Sequence, residues 1–403
     1  RRFEANELAD PKAEVYARAL AAGRAAGIGP GRRIAVGVGS RGVHALTEMV
    51  RGLVDALREL GAEVFIVPAM GSHGGATPKG QAEVLATYGV TEGAMGAPID
   101  ASLETEVIDH LPDGTPVHFA RSALAADGVV WLNRVKPHTD FGGPLGSGLM
   151  KMLVIGFGKE AGAAAIHAHG APGLRELVPL AAERIVRRAP LSFGVAVVEN
   201  AFDHPAEIRA LRPEALRSGE TELMQLAARW LPRLPVDELD VLVVDALGKE
   251  ISGSGMDTNV IGRLYIQGEP EFERPVIRRI AVLDVSEASH GNAIGVGLAD
   301  VTTRRLVEKI DWDAFHKNAI TSTFLERGRI PMAMPTDKAA IELALATCRR
   351  PHGGAGLIRI ENTAKLGRFW ASEPVANELA GREDIELLGP AEPWPFDERG
   401  NLF

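Results

Sequence analysis

The chain has 403 residues, of which 46% are hydrophobic and 24% charged, a composition typical of a globular protein with two or three domains. The formal net charge is −9 and the lysines and arginines are scattered, which argues against nucleic acid as a partner. No run approaches the roughly 18 apolar residues of a membrane span, and the first residues lack the apolar core of a secretory signal. A single cysteine, Cys348, excludes internal disulfides and cysteine-cluster metal sites. We therefore expect a cytoplasmic protein with no membrane partner.

Strand-like and helix-like segments alternate in the first half of the chain. Apolar residues at three- and four-residue spacing predict the helices, and short β-branched runs predict the strands. The predicted helices span residues 11–26, 45–60, 78–89 and 173–189, and the predicted strands span 32–38, 62–69, 128–135 and 191–200. This alternation predicts a largely parallel sheet with helices on both faces.

A helix and a proline-marked turn within residues 217–239 indicate a boundary between two domains, 1–235 and 236–403. The second domain has predicted strands at 239–248, 278–286 and 356–362 and helices within 303–322 and 336–348. Its irregular tail, residues 389–403, is expected to pack back on the N-terminal domain. The predicted fold class is α/β, with two Rossmann-like α/β domains. We expect an interdomain active-site cleft, because ligands of such folds bind beyond the carboxyl ends of the strands.

Residues 37–42 contain the pattern G-x-G-x-x-G after the first strand, which is the layout of a dinucleotide-binding turn. Such a site also needs an acidic residue at the end of the second strand. That strand, AEVFIVPAM, has its acid, Glu63, at the opposite end. The pattern still predicts a helix N-terminus near Ser40 and Arg41 that suits the phosphate of a nucleotide.

Two histidines follow predicted strands in glycine-rich surroundings. His73 lies in the loop AMGSHGGATP, and His138 follows the strand GVVWLN through RVKP. Imidazole titrates near neutral pH, so either histidine is a candidate general base. The alternative for His73 is a turn residue that caps the next helix.

Lys151 lies in the apolar run GLMKMLVIGF. Its side chain either extends to the surface from a helix or is partly desolvated and acts as a nucleophile or covalent anchor. His167 and His169 follow in AAAIHAHG, and on one helix they point roughly 200° apart, so we do not expect them to share a ligand. No zinc-protease spacing of histidines is present.

Taken together, these motifs resemble the nickel-dependent lactate racemase family of 2-hydroxyacid racemases and epimerases. The resemblance runs through most of the chain and is densest in residues 69–90, 133–170 and 238–265. The matching motifs are G-x-H-x-x-x-T at 71–77, P-H at 137–138 and S-G-x-x-K at 147–151. A histidine sixteen residues beyond the motif lysine completes the match, which selects His167 rather than His169.

The resemblance implies a nickel-pincer nucleotide, a nicotinate-derived mononucleotide joined by a thioamide to Lys151. It implies that His167 completes the nickel coordination beside two sulfurs and a carbon of the cofactor, a donor set that suits square-planar Ni(II). The further cofactor contacts that it implies are Ser40, Arg41, Ser147 and Gly148.

The resemblance also implies the reaction. Hydride leaves the α-carbon of a 2-hydroxy acid for the cofactor while His73 or His138 takes the hydroxyl proton. The flat 2-keto acid then receives hydride on its other face. Two bases on opposite sides of the substrate serve the two enantiomers.

The C-terminal domain departs from the lactate enzymes in the segment GSGMDTNVIGRLY. Asn259 is retained, but Gly262 and Tyr265 replace the Gln and Lys that hold the substrate in that family. Arg263 is a candidate partner for the substrate carboxylate, and Lys249 is a second. We therefore expect a bulkier or more polar 2-hydroxy acid than lactate.

A further polar residue, Asn292, lies in the glycine-rich stretch HGNAIGVGLADVTT and is a candidate substrate contact or part of a plain connection. The expected partners of the protein are a small-molecule 2-hydroxy acid and the enzymes that synthesise the cofactor. Two other functions stay open. One is an NAD-dependent oxidoreductase that uses the turn at 37–42, and the other is a non-catalytic ligand-binding protein of the same fold.

Overall fold

A computed structural model describes residues 1–39, 42–143, 145–350 and 354–402. The chain divides into two compact units. The N-terminal unit comprises Glu4–Leu231, and the C-terminal unit comprises Pro232–Phe403 together with Arg1–Phe3. Nothing in the sequence indicated that the first three residues belong to the C-terminal unit. In the described ranges, no helix is both long enough and apolar enough for a membrane crossing.

The N-terminal unit contains seven strands in its described part. They are β1 (Arg33–Val38), β2 (Glu63–Pro68), β3 (Thr105–His110), β4 (Pro116–Ala120), β5 (Gly128–Arg134), β6 (Leu191–Glu199) and β7 (Pro205–Leu211). The main sheet has the order β2-β1-β5-β6-β7, in which only β7 is antiparallel to its neighbour. Strands β3 and β4 form a separate antiparallel pair.

The helices of this unit cover both faces of the main sheet's parallel strands, which explains why β1 and β2 are buried after their first residue. They are α1 (Pro11–Ala25), α2 (Leu46–Glu59), α3 (Pro78–Thr87), α4 (Glu92–Met95), α5 (Arg121–Leu124), α6 (Leu149–Lys151), α7 (Lys159–His167), α8 (Gly170–Pro172), α9 (Val178–Arg188) and α10 (Leu216–Trp230). Two π-helical segments, Met152–Gly156 and Gly173–Leu177, follow α6 and α8.

The strand order reverses between β1 and β5. The chain goes from β1 outward to β2 on one side, and from β5 outward to β6 on the other. In open α/β sheets, such a point leaves a crevice at the carboxyl ends of the two central strands, and ligands bind there. The segments that leave β1 and β5 at this edge contain residues 39–45 and 135–148.

The C-terminal unit has a six-stranded sheet of order β11-β10-β9-β8-β12-β13, parallel except for β13. Its strands are β8 (Glu238–Leu247), β9 (Val276–Val285), β10 (Val301–Thr303), β11 (Met332–Met334), β12 (Leu357–Ile360) and β13 (Trp370–Ala371). Its helices are α11 (Thr258–Ile261), α12 (Arg304–Glu308), α13 (Trp312–Ser322), α14 (Asp337–Thr347) and α15 (Glu373–Leu379). The predicted α/β fold class is therefore confirmed.

The tail of the chain packs on its own unit. Trp394, Phe396 and Leu402 contact the apolar cluster that contains Val241 and Ala340. This differs from the expectation that the tail packs back on the N-terminal domain. Aromatic side chains in the tail gain burial against the nearest uncovered face of the C-terminal sheet, a contact that local sequence patterns do not reveal.

The elements on either side of the glycine pattern at residues 37–42 differ from those that flank a dinucleotide-binding turn. Gly37 lies inside β1, and α2 begins only at Leu46 after Ala45 in a left-handed conformation. A Cβ added to Gly37 would overlap the ring of Phe157, which is fully buried and stacks on Phe119 at 4.9 Å. Gly37 is therefore required by the close approach of Phe157 to the sheet.

We predict that Gly37→Ala destabilises the protein by about 1–3 kcal/mol, because the added methyl group forces the buried Phe157 ring out of place. Urea unfolding followed by circular dichroism measures the effect. Gly93→Ala is the matched control, because nothing lies within 4 Å of a Cβ at this helical position, and we expect it to be neutral or slightly stabilising. Equal stability of the two variants would contradict this packing role.

Candidate functional site

The site is built from loops at the carboxyl edge of the N-terminal sheet. His73 follows β2, His138 follows β5, and Gly39 follows β1. A short antiparallel bridge between Lys136 and Ser147, with N–H to carbonyl distances of 2.9 and 3.0 Å, closes the loop that contains His138. The bridge brings the residues before α6 back to the end of β5.

His138 is buried and contacts the amine of Lys151 directly. Its ring stacks on Phe141 with a centroid distance of 4.5 Å. Its Nδ1 accepts a hydrogen bond from the Asp140 N–H at 3.0 Å, and its Nε2 contacts Lys151 Nζ. Lys151 Nζ also lies 6.0 Å from the centroid of the Phe141 ring. The two residues that the sequence singled out are thus paired through their reactive nitrogens.

Three side chains fix the short helix α6, whose last residue is Lys151. Asn133 Nδ2 donates to the Gly148 carbonyl at 2.8 Å, and Trp131 Nε1 donates to the Leu149 carbonyl at 3.2 Å. The Met150 N–H donates to Glu220 Oε2 at 2.8 Å. Side chains of β5 and α10 therefore position the backbone from which the Lys151 side chain extends.

Glu220 is a residue of this site that the sequence interpretation missed. Its side chain is fully buried, and its Oε1 has no hydrogen-bond partner in the described part of the chain. Burial raises the pKa of the Glu220 carboxyl to about 7, against the opposing effect of the Met150 and Leu149 N–H groups. The available signal was its position on α10, where Leu216, Leu223 and Met224 place Glu220 on the apolar stripe.

Gly148 and Ser147 take part in the site through backbone hydrogen bonds. A Cβ at Gly148 would overlap the carboxyl of Glu220, so this position admits no side chain. Ser147 makes the bridge to Lys136. Their predicted role as cofactor contacts remains a prediction. Ser40 and Arg41, the other predicted cofactor contacts, lie outside the described residues.

A fully buried lysine, Lys159, supports the loop that contains His73 through the side chain of Gln81. Gln81 Nε2 donates to the Gly71 carbonyl at 2.8 Å and to the His73 carbonyl at 3.4 Å. Lys159 Nζ donates to Gln81 Oε1 at 3.3 Å and to the Pro68 carbonyl at 2.6 Å. His73 itself is exposed at the start of a 3₁₀ turn.

Lys159 is fully buried and has a positive φ of 54°, an unusual conformation for a lysine. Burial lowers the pKa of its amine to about 8, opposed by the charge of Asp100. Lys159 also begins α7, which ends at His167. Helix α7 therefore joins Lys159, which supports the His73 loop through Gln81, to His167, the predicted nickel ligand.

His167 lies near Lys151 and Asp140. Its pKa is lowered mainly by desolvation and also by the positive charge that Lys151 has when it is protonated, whereas Asp140 raises it. His169, in contrast, contacts Thr115 Oγ1 at 3.0 Å in the turn between β3 and β4. Within residues 1–39, 42–143, 145–350 and 354–402, no group of three or more His, Cys, Asp or Glu side chains is arranged to hold a metal ion.

The predicted substrate residues lie in the C-terminal unit. Lys249 follows β8 and Asn292 follows β9, and Ser289 joins them: its Oγ accepts from the Lys249 N–H at 3.1 Å and donates to the Asn292 carbonyl at 2.8 Å. Asn259 lies in α11, and its Nδ2 donates to Asp257 Oδ1 at 3.0 Å.

Arg263 does not fit its predicted role as the partner of a substrate carboxylate. It is buried, pairs with Asp300 at 2.7 Å and donates to the carbonyls of Leu298 and Ile277 at 3.1 and 2.9 Å. These contacts occupy both terminal nitrogens of its guanidinium within the protein. Arg263 therefore stabilises the start of β9 and the loop before β10.

We predict that Glu220→Gln makes the protein more stable above pH 7 and leaves it nearly unchanged at pH 5. An acid whose folded pKa is raised from 4.5 to about 7 loses stability as pH rises between these values, because the unfolded chain releases the proton first. The difference at pH 8 is about 3 kcal/mol, and urea unfolding from pH 5 to pH 8 measures it. The exposed Glu214→Gln is the control, and parallel stability profiles of wild type and Glu220→Gln would contradict a buried ionising acid.

The fold of this chain is similar to that of a solved protein structure. The structure resembles the lactate racemase apoprotein from Thermoanaerobacterium thermosaccharolyticum with a TM-score of 0.52, at 15% sequence identity. The match covers 88% of this chain and 91% of that chain. At this identity, the likeness establishes a shared fold. Curated protein sequences contain no match to this chain.

One sequence family matches the chain. It is described as a domain of unknown function, DUF362, and it matches residues 38–247. This range begins at the last residue of β1 and runs to the end of β8, and it contains His73, His138, Lys151 and His167. Because the match spans just over half of the chain, the protein belongs to the DUF362 family.

Proposed function

We propose that the protein is a nickel-dependent racemase or epimerase of a 2-hydroxy acid. The observation that carries the proposal is the direct contact between Lys151 and His138 at the carboxyl edge of the sheet. Lys151 Nζ contacts His138 Nε2, and Lys151 in its protonated form would lower the pKa of His167. The shared fold with a lactate racemase apoprotein supports the same function.

The residues at this edge fit a lysine-tethered nickel-pincer nucleotide. Lys151 is half-buried on a backbone held by Trp131, Asn133 and Glu220, which suits a covalent anchor. His167 would supply one nitrogen donor to the nickel of such a cofactor. When bound, this cofactor would supply a hydride acceptor and donor.

The chain's own residues would bind the substrate and move its hydroxyl proton. His73, on an exposed loop, and His138, in a buried position, are the proposed acid and base. Each would serve one enantiomer. The alternative of an NAD-dependent oxidoreductase receives little support, because Gly37 lies within β1 and packs against Phe157.

We propose a substrate other than lactate, because Gly262 and Tyr265 stand where the lactate enzymes have their substrate-holding Gln and Lys. Gly262 has a positive φ of 66° and ends α11, so a glycine suits the left-handed backbone conformation at this position. Lys249, Asn259 and Asn292 are the proposed substrate contacts of the C-terminal unit.

We predict that protein produced together with cofactor-synthesis enzymes carries the cofactor mass on the Lys151 peptide and binds about one nickel per chain. Peptide mass spectrometry and elemental analysis measure the two quantities. Lys151→Arg should lose both, whereas His167→Ala should retain the added mass with less nickel, because only a metal donor is removed. Lys79→Arg, at an exposed lysine, is the control. An unmodified Lys151 without nickel in the wild type would overturn the proposal.

We predict that His73→Ala lowers the interconversion of enantiomers by about 10²- to 10⁴-fold, the usual contribution of a general acid or base. Loss of optical purity across a panel of chiral 2-hydroxy acids is the measurement. Lys151 loading should be unchanged, which separates catalysis from cofactor attachment. His169→Ala should retain activity, since His169 turns toward Thr115. An active His73→Ala variant would remove this residue from the mechanism.

A further inference from the structure

The hydrogen bonds around His138 determine which of its nitrogens carries a proton. Nδ1 accepts the Asp140 N–H at 3.0 Å, so Nδ1 itself bears no hydrogen. The carboxylate of Asp140 lies farther from Nδ1, at 3.7 Å, beyond hydrogen-bond length. A neutral imidazole with an accepting Nδ1 must carry its proton on Nε2.

Nε2 is the atom that contacts Lys151 Nζ. If Nε2 is the donor, Nζ must accept, and only a neutral amine has a lone pair for this purpose. We propose that His138 holds Lys151 as a neutral amine and thereby primes it for acylation. The inference rests on the proposed function for the natural acyl donor, an activated carboxyl or thiocarboxyl group of the cofactor precursor.

The surroundings of the fully buried Lys159 differ from those of the half-buried Lys151. Lys159 Nζ faces two oxygen acceptors, Pro68 O and Gln81 Oε1. Oxygen acceptors favour the ammonium form, which has three donors. The Lys151 amine, in contrast, contacts a ring nitrogen, Nε2 of His138, and lies 6.0 Å from the centroid of the Phe141 ring.

The acylation step is an ordinary acyl transfer. The Lys151 Nζ lone pair attacks the carboxyl or thiocarboxyl carbon, and a new C–N bond forms. The bond from that carbon to the leaving group breaks, and the electron pair departs with the leaving group. The surplus proton of Nζ leaves with it, so that amine and donor become an amide or thioamide and a protonated leaving group, with no change in oxidation state.

Acylation also changes the partner of His138. An amide or thioamide nitrogen shares its lone pair with the adjoining carbon and no longer accepts a hydrogen bond. The Nε2–H of His138 must then turn to a different acceptor, such as an oxygen of the substrate. His138 thus donates its Nε2–H to Lys151 before the cofactor is attached and to the substrate afterwards.

The protonation state of His138 is measured directly in the unmodified wild-type protein. Long-range ¹H–¹⁵N spectra of histidine-labelled protein at pH 7, assigned with His138→Phe, distinguish the two tautomers and the cation. We expect the Nε2–H tautomer, and we expect its signals to shift when Lys151 is acetylated. An Nδ1–H tautomer or an imidazolium at His138 would overturn the proposal without the need for an active variant.

The reactivity of Lys151 provides the second test, with N-hydroxysuccinimidyl acetate as the acyl donor. At pH 7, Lys151 should be acetylated at least about tenfold faster than exposed Lys79, because an ordinary lysine is almost entirely protonated there. His138→Phe, which keeps a ring on Phe141, should remove this advantage, and His169→Phe should not. Equal labelling of Lys151 in wild type and His138→Phe would overturn the inference.

These outcomes are separable from those of the proposed function. A fast-reacting Lys151 that never acquires nickel or cofactor would leave the primed amine intact and overturn the racemase proposal. An active enzyme that carries the cofactor, but whose apoprotein has the His138 proton on Nδ1, would support the racemase proposal and overturn the primed amine.

Discussion

A hydrogen bond from the Met150 N–H to the buried carboxyl of Glu220 fixes the start of the helix that carries Lys151. The carboxyl occupies the space that a side chain at Gly148 would need. Leaving Oε1 of a buried acid without a partner is costly, and a Leu at this position would pack without that cost. The presence of an acid on the apolar stripe of α10 is therefore explained by its hydrogen bond with the Met150 N–H. The position of Lys151 relative to His138 depends on this contact and on the parallel contacts from Trp131 and Asn133.

The same stretch of chain organises the other parts of the site. The Gly71 N–H donates to the Gly156 carbonyl at 3.2 Å, which joins the His73 loop to the π-helical segment after Lys151. Lys159 then ties α7 to the end of β2 through the Pro68 carbonyl. π-Helical turns widen a helix locally and are frequent at functional sites. Lys151, the His73 loop and His167 are consequently connected through one continuous segment, residues 148–167.

The sequence predicted the elements whose patterns are local. The predicted limits of α1, α2 and β5 fall within one or two residues of the observed ones, because apolar spacing and caps such as Asp10 define them. The pair β3–β4 was not predicted, since β3 is largely exposed and shows no alternation. Glu220 and Lys159 were missed for a related reason: their partners lie 70 and 91 residues away in the chain. Arg263, predicted as a partner of the substrate carboxylate, forms an ion pair with Asp300 within the protein, a contact that a local motif does not reveal.

The bridge between Lys136 and Ser147 has a consequence for how this protein could diverge from its relatives. The backbone is pinned at both ends of the loop that contains His138, so the number of residues within that loop is decoupled from the position of Lys151. Lengthening a loop whose ends are fixed costs little free energy. In α7, by contrast, one inserted residue would rotate His167 by about 100° relative to Lys159. Insertions and deletions are therefore tolerated in the loop of His138 and excluded between Lys159 and His167, which makes that loop the place where the chain most easily changes length beside Lys151.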